Sequence, residues 1–330
     1  MNSKTPQPCP ACCSDQSRFL FEGWDLWFGY PDSASVYQCR DCKHVFVAGV
    51  LTPEQLTDMY TNYCTRSSFD VENYVPYKEK NRLLHWLDGE EGLACRHVPK
   101  NVRVLDIGCG FCETLGYHRA RGCDAYGVEA DENTRKIAER YGFNVHLGLF
   151  DPAQYEPGFF DYVTMDQVLE HTVDPLTVLR EVATVLKSPS QDTSGGRLVA
   201  CFPNDHALGR LFFQRHWGGW HLPFHRHLFS RQSIAILAER SGYVVESMKS
   251  ATQSCLLLQT WATIYCAGSR GKKADQAVET FGRFFDSEMR KRRDVSLYLF
   301  LKKIRFLSLS MRIADMLGVG DCRLVILRKK

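Results

Sequence analysis

The sequence predicts an α/β fold: a doubly wound sheet of mainly parallel strands, with a small cysteine-rich module in front and helical additions around it. Three observations predict this. Val102 to Leu115 begins as a β-branched strand, breaks at Gly108 and Gly110, and can be helical from about Cys112. Strand-like and helix-like stretches then alternate with short connections as far as Tyr243 to Met248. Ahead of them, Cys9-Pro-Ala-Cys12 and Cys39-Arg-Asp-Cys42 form two Cys-x-x-Cys knuckles.

Composition narrows the class. The 330 residues are 44% hydrophobic and 24% charged, as in a soluble globular chain with one core domain and additions. A net charge of +3 is too small to argue for a nucleic-acid partner. The polar, proline-containing N-terminus has no apolar segment of a secretory signal, and no run is long enough to span a membrane. Fourteen cysteines in such a chain point to reduced thiols, some on metal, and to a cytoplasmic location.

Four thiolates at the spacing of Cys9, Cys12, Cys39 and Cys42 can meet one Zn²⁺ tetrahedrally. Between the knuckles, aromatics and turn signals at Gly23 and Gly29-Tyr30-Pro31-Asp32 suit the hairpins of a zinc ribbon. With four protein ligands such a site is structural, and Cys13 stays outside the ligand set. Thr52 to Pro99 reads as mainly helical, with Thr52 as N-cap and Pro53 at the first helical position. It carries Tyr60, Tyr63, Phe69, Tyr74, Tyr77 and Trp86, and Gly89 to Lys100 leads into the core.

A strand, a glycine turn and a helix start together bring backbone N–H groups against a ligand. A dinucleotide fingerprint requires a third glycine where Glu113 stands, and Asp106 would repel a pyrophosphate while welcoming an amino group. Asp106-Ile-Gly-Cys-Gly110 therefore resembles motif I of class I S-adenosylmethionine (SAM) methyltransferases. The resemblance implies Asp106 near the methionine amino group, with Gly108, Cys109 and Gly110 along the methionine. The family often has glycine where Cys112 stands, so a local backbone adjustment is expected there. Order and spacing of ribbon, Leu51-Thr-Pro-Glu-Gln-Leu and Asp58-Met-Tyr60 are similar to a zinc-ribbon branch that includes bacterial sugar and polysaccharide methyltransferases. In that branch the Thr52 to Pro99 region lies over the cofactor as a lid; the alternative is that its aromatics pack a helical linker onto the core.

Cys123 to Glu129 is the second strand. The acid at its tip can accept bonds from both ribose hydroxyls, or cap the helix expected from Asp131 to Tyr141; Ala130 follows it at the cofactor. After the third strand, Asn144 to Leu147, the turn containing Leu149 is where the family surrounds the adenine. Asp161 to Met165 is the fourth strand, and Asp174-Pro175 opens the next helix. The loop between them resembles the family's strand-four motif: Asp166 and Gln167 are expected at the cofactor, and Glu170-His171 supplies a general-base candidate in His171. The fifth strand, Gly196 to Phe202, ends at Pro203-Asn204.

His216 to Ser230 holds four histidines and two tryptophans. His221, His225 and His227 have a spacing that suggests metal, but no carboxylate or cysteine joins them in the sequence. The resemblance instead implies a loop roofing the active site, with His225 as base or substrate-orienting residue and Ser230 as N-cap of the next helix. Trp217 and Trp220 would then face a sugar. Beyond Thr252 the chain reads as helical. The basic run Glu288 to Arg293 and the amphipathic Leu297 to Leu317 suggest either solvated helices or a peripheral contact with a membrane-associated substrate. Cys322 to Leu327 returns as a strand, matching the family's antiparallel last strand.

The expected division is ribbon 1–50, helical lid 51–100, SAM-binding core 101–250, helical region 251–320 and last strand 321–330. The expected activity is SAM-dependent O-methylation of a sugar, polysaccharide or lipid-linked intermediate, with Zn²⁺ structural. C- or N-methylation of a small molecule is the runner-up. An NAD-dependent oxidoreductase and a non-catalytic ribbon module are the competing classes. The Cys109…Cys112 pair lies in the cofactor turn, not at a thioredoxin-like site.

Overall fold

The computed structural model describes residues 5–25, 30–49, 51–52, 55, 59, 71, 74–191, 194–252 and 306–330. The lid aromatics Tyr60, Tyr63 and Phe69, the basic run Glu288 to Arg293, and most of 251–305 lie outside these residues.

The N-terminal module is a meander of β1 (Ser17–Trp24), β2 (Ser33–Cys39) and β3 (Val45–Val47), paired antiparallel. The helical expectation for Thr52 to Pro99 holds in pieces. Thr52 and Gln55 exchange side-chain bonds with each other's amides, a reciprocal N-cap. α1 (Arg82–Leu87) starts on Asn81, whose side chain accepts from Leu84 N, and short 3₁₀ turns at Glu90–Gly92 and Ala94–His97 follow.

The core then alternates β4 (Arg103–Ile107), α2 (Glu113–Ala120), β5 (Asp124–Glu129), α3 (Thr134–Tyr141), β6 (Asn144–Leu147), β7 (Tyr162–Asp166), α4 (Pro175–Val185) and β8 (Arg197–Pro203). α3 begins three residues later than expected: Asp131 accepts from Asn133 N in a local turn, and Thr134 reaches back to Gly110 O. After β8 come α5 (Leu208–Phe213), β9 (His227–Leu228), α6 (Arg231–Arg240), β10 (Tyr243–Ala251), α7 (Phe306–Met316) and β11 (Cys322–Lys329). α6 is capped by Ser230 and α4 by Asp174 with Pro175 at its first position, both as expected.

The seven-stranded sheet runs β10-β11-β8-β7-β4-β5-β6. β4 to β8 pair in parallel, and β11 inserts antiparallel to both β8 and β10. This is the predicted Rossmann-like methyltransferase sheet. The chain leaves β4 toward β5 and β6 and then crosses back to β7, so the topological switch point lies at β4 and β7. Open α/β sheets bind ligands outside the carboxyl ends of strands at that point.

The second sheet holds the expected ribbon hairpins, but its fourth strand was not anticipated. Its order is β1-β2-β3-β9, and β9 comes from the loop that follows β8. Val45 faces Leu228 and Phe46 faces His227, so the ribbon takes its fourth strand from the substrate side. An apolar cluster of Val36, Val45, Val47, Trp217, Trp220 and Leu228 cements the joint. Trp217 is 1% exposed and Trp220 8%. The expectation that these rings stack on a sugar gives way to packing, because a hairpin this small needs large apolar partners to fold.

α7 lies inside the predicted amphipathic stretch. Its Arg312 is buried, donating to Trp86 O at 3.2 Å and to Thr252 O, and pairs with Asp315 at 3.1 Å. This cation anchors the helix to the core and is withheld from any surface. Among the described residues no helix is long and apolar enough to cross a membrane.

Candidate active site

The glycine turn follows β4 directly. Gly108 has φ +77°, a left-handed value, and a Cβ there would come within 2.4 Å of Val168. The loop after β7 therefore packs on the turn. Cys112, where the family often has glycine, holds a left-handed φ of +66°. Its side chain is buried with Leu115 and Ile137, facing the core and leaving the ligand side clear.

Three acids stand at neighbouring strand ends. Asp106 is buried and accepts from Thr164 Oγ1 at 2.6 Å and from Thr114 Oγ1. Burial pushes its carboxyl up to about 6, helped by Glu129 and Glu113 and opposed by the two hydroxyls. Glu129 accepts from Gly110 N at 2.8 Å and Asp131 N at 3.0 Å, which ties the two turns together. Asp166 accepts from Ala94 N at 3.2 Å. The amides of Gly108 and Cys109 both bond Val128 O, and Cys112 N bonds Cys109 O. A pyrophosphate needs such amides free and dislikes such acids. A ligand carrying an ammonium and a sulfonium suits the rim, so these residues fit SAM and do not fit NAD.

Next to this rim lies a cluster of histidines. The 3₁₀ turn Leu169–His171 places Glu170 inward and His171 beside it. The loop before β9 brings His221 and His225, with ring centres 4.6 Å apart for His171 and His225 and 4.9 Å for His221 and His225. Arg226 N donates to Glu170 O at 2.8 Å and fixes one segment against the other. His171 Nδ1 lies 3.1 Å from Phe224 O and His225 Nδ1 2.9 Å from Gly219 O. A carbonyl only accepts, so Nδ1 carries the proton in both rings and Nε2 carries the lone pair. Burial lowers His225 to about 4. Glu170 is held well above the carboxylate range by burial and then by Asp166, its own amide opposing.

His227 departs from this group. Its Nε2–H donates to Thr172 O at 2.9 Å, and its Nδ1 accepts from His44 Nε2 at 3.1 Å. A ribbon histidine is thus joined through β9 to the strand-four loop.

On the ribbon's far side the four knuckle thiols converge, with Cys9 and Cys42 sulfurs 3.6 Å apart and those of Cys12 and Cys39 3.6 Å apart. Sulfurs on a zinc tetrahedron with bonds of about 2.3 Å stand about 3.7 Å apart, so the donor set fits that ion. Each knuckle is followed by a left-handed residue, Cys13 at φ +62° and Lys43 at φ +61°, which closes the turn. Cys13 is exposed and outside the cluster. Ser230 Oγ donates to Cys42 O at 2.5 Å and Arg240 Nη1 to Ala11 O at 2.7 Å, binding the knuckles to α6.

The family described as "Methyltransferase domain" matches residues 72–248, more than half of the chain and the whole of this rim and loop. The chain belongs to that methyltransferase family. Ubiquinone biosynthesis O-methyltransferases from Ralstonia nicotianae (31% identical over 123 residues, 34% of this chain and 49% of that protein) and Thiobacillus denitrificans (31% over 122 residues, 34% and 50%) are similar to it. The chain spans about half the length of these curated relatives. A solved SAM-dependent methyltransferase from Archaeoglobus fulgidus aligns at 19% identity with a TM-score of 0.43, covering 76% of this chain and 95% of that one.

Within the methyltransferase domain, the predicted residues fall into two groups. Asp106, Gly108, Cys109, Gly110, Glu129 and Asp166 gather at the ends of β4, β5 and β7, with Ala130 and Leu149 exposed on the turns beyond β5 and β6. Gln167, at φ +57°, instead turns its amide toward the sulfurs of Cys201 and Cys322, 3.7 Å from each. Sequence reasoning missed the two threonines on Asp106, the His44–His227 contact and the approach of Glu170 to His225. The spacing of Thr114, eight residues past Asp106, was an available signal; the other contacts join segments far apart in the chain.

Proposed function

We propose that the protein is a SAM-dependent methyltransferase that methylates a hydroxyl of a sugar, polysaccharide or lipid-linked intermediate. One observation carries this reading: Val168 rests on Gly108 of the cofactor turn, and three residues later His171 meets His225 of the roofing loop. The cofactor rim and a pair of imidazoles, each with its Nδ1–H held by a backbone carbonyl, are thereby held side by side.

When bound, SAM supplies a methyl group activated on a sulfonium. Asp106 would hold its ammonium, the Gly108–Gly110 turn its methionine chain, and Glu129 its ribose. The acceptor hydroxyl lies under the His221–His225 loop, and Nε2 of His171 or His225 takes its proton, contributing roughly 10²–10⁴ in rate. Positioning in a dry site does the rest. The four thiolates hold a structural Zn²⁺ that fixes the ribbon, and the ribbon, through β3 and β9, fixes the roof.

The names of the similar ubiquinone enzymes support oxygen as acceptor atom, and a phenolic small molecule is the second reading. Incubation with methyl-labelled SAM and fractionated cell extract tests both. Label in a sugar nucleotide or lipid-linked glycan is the expected product. Label in a phenolic lipid transfers the assignment to the second reading, and thermal stabilisation by NAD in place of S-adenosylhomocysteine sinks both.

A further inference from the structure

A carboxylate buried away from water requires a proton or a cation, because an uncompensated charge in a dry interior costs several kcal/mol. Glu170 is fully buried, and neither of its carboxylate oxygens has a hydrogen-bond partner. The ion-pair partner within reach among the described residues is His225, whose Nε2 lies 4.0 Å from Oε1. Two imidazoles face this carboxylate, each with Nδ1–H committed to a backbone carbonyl. That arrangement fixes the tautomer and orients Nε2, as the outer partners of metal-ligating histidines do. One donor atom from each of Glu170, His171 and His225 lies within 4.8 Å of the others.

We infer that Glu170, His171 and His225 form a binding site for a divalent first-row transition-metal ion of the Zn²⁺ or Fe²⁺ class, separate from the four-thiolate cluster. The sequence spacing had placed His221, His225 and His227 together without a carboxylate. The fold removes His227 to Thr172 and His44 and brings in Glu170 and His171 from the strand-four loop. Two imidazoles and a carboxylate suit zinc or ferrous iron, whereas Mg²⁺ and Ca²⁺ take oxygen ligands. Bonds of about 2.0–2.2 Å place ligand atoms about 3.0–3.5 Å apart, so the 4.0 Å separation closes by up to about 1 Å, and no pair of the three, all within 4.8 Å, by more than about 2 Å, through side-chain torsions. The Arg226–Glu170 backbone bond already holds the two segments in register.

Three protein ligands leave positions open for water or for an oxygen of the acceptor, where a cation lowers the pKa of a bound hydroxyl and so replaces the imidazole base whose Nε2 it occupies. This use at the acceptor rests on the methyl-transfer reading; the cation site does not.

The test is a titration of the full-length, zinc-loaded protein with Co²⁺, followed by absorption and metal analysis, without SAM or acceptor. The expected result is one further equivalent of cobalt with d–d bands and no thiolate-to-cobalt charge transfer. Affinity falls at least about tenfold in Glu170→Gln and in His225→Ala. S-adenosylhomocysteine binding in each variant reports that it is folded, and His171→Gln serves if either is not. Wild-type protein that takes up no cobalt outside the thiolates overturns the proposal, and so does unchanged affinity in the folded variants. The first of these results means that Glu170 and His225 share a proton in place of a metal. Cobalt binding without S-adenosylhomocysteine binding contradicts the cofactor reading and leaves the cation site standing.

Discussion

β9 joins two clusters of donor atoms that differ in every respect except their suitability for a cation. Just past its far end, Ser230 bonds the carbonyl of Cys42 in a cluster of four thiols whose pairs close to 3.6 Å. Just before its start, His225 belongs to an open group whose donor atoms lie within 4.8 Å of one another and whose carboxylate is unsatisfied. The first cluster is made of short loops within the ribbon and is complete in itself. The second is assembled from the strand-four turn and the roofing loop, and it holds its shape only while the ribbon pairs with β9. A closed set of ligands is suited to folding; an open one is suited to chemistry. On the reading proposed above, the ribbon transmits the rigidity of the first cluster to the second.

The largest expected effect comes from breaking the closed cluster. If the four thiolates hold Zn²⁺ as proposed, Cys39→Ser with Cys42→Ser removes an ion whose binding is worth about 10 kcal/mol or more of folding free energy in comparable sites. β3 then no longer supports β9. Metal analysis is expected to show loss of the tightly held zinc, and methyl transfer is expected to fall far more than affinity for S-adenosylhomocysteine. Equal loss of both would mean that the ribbon supports the whole sheet.

The joint itself gives the next effect. Trp217→Ala opens a cavity between β9 and the ribbon and is expected to cost about 3–5 kcal/mol in denaturant unfolding. A variant that keeps wild-type stability and shows only a raised KM would return Trp217 to the role of a sugar-stacking residue.

The smallest effect sharpens the contrast from the cofactor side. Asp106 is raised to about 6, chiefly by burial, and must be ionised to pair with an ammonium. Affinity for S-adenosylhomocysteine, measured by calorimetry, is therefore expected to be flat above pH 6 and to fall by up to about tenfold per pH unit below it. Stability of the ligand-free protein has the opposite sign. A raised carboxyl binds its proton more tightly in the folded chain, so this group destabilises above pH 6 and the cost is relieved as pH falls toward the ordinary value near 3.8. Affinity independent of pH between 5 and 7 would remove Asp106 from the amino group.

What the sequence disclosed follows the range of the interactions. The strands of the core, the caps at Asp174 and Ser230, and the two knuckles are local patterns, and each lies where its residues predict. The start of α3 was placed three residues early, because Asp131 closes a local turn onto Asn133 N before the helix begins. The origin of β9 was not legible, since a two-residue strand has no periodicity to detect. Glu170 read as part of a motif with His171, and nothing within the loop announced that His225 would come to face it. Trp217 and Trp220 looked like ligand platforms because an aromatic pair beside glycines carries no mark of which surface it will cover.

The central claim is that the acidic rim at β4, β5 and β7 binds SAM beside the histidine cluster. Calorimetric titration of the full-length protein with S-adenosylhomocysteine, repeated on Asp106→Ala and Glu129→Ala, tests it most directly. The expected result is one equivalent bound by wild type and binding weakened at least about tenfold in each variant, the loss of a charged hydrogen bond. Absence of binding to the wild-type protein, or wild-type affinity in both variants, would contradict it.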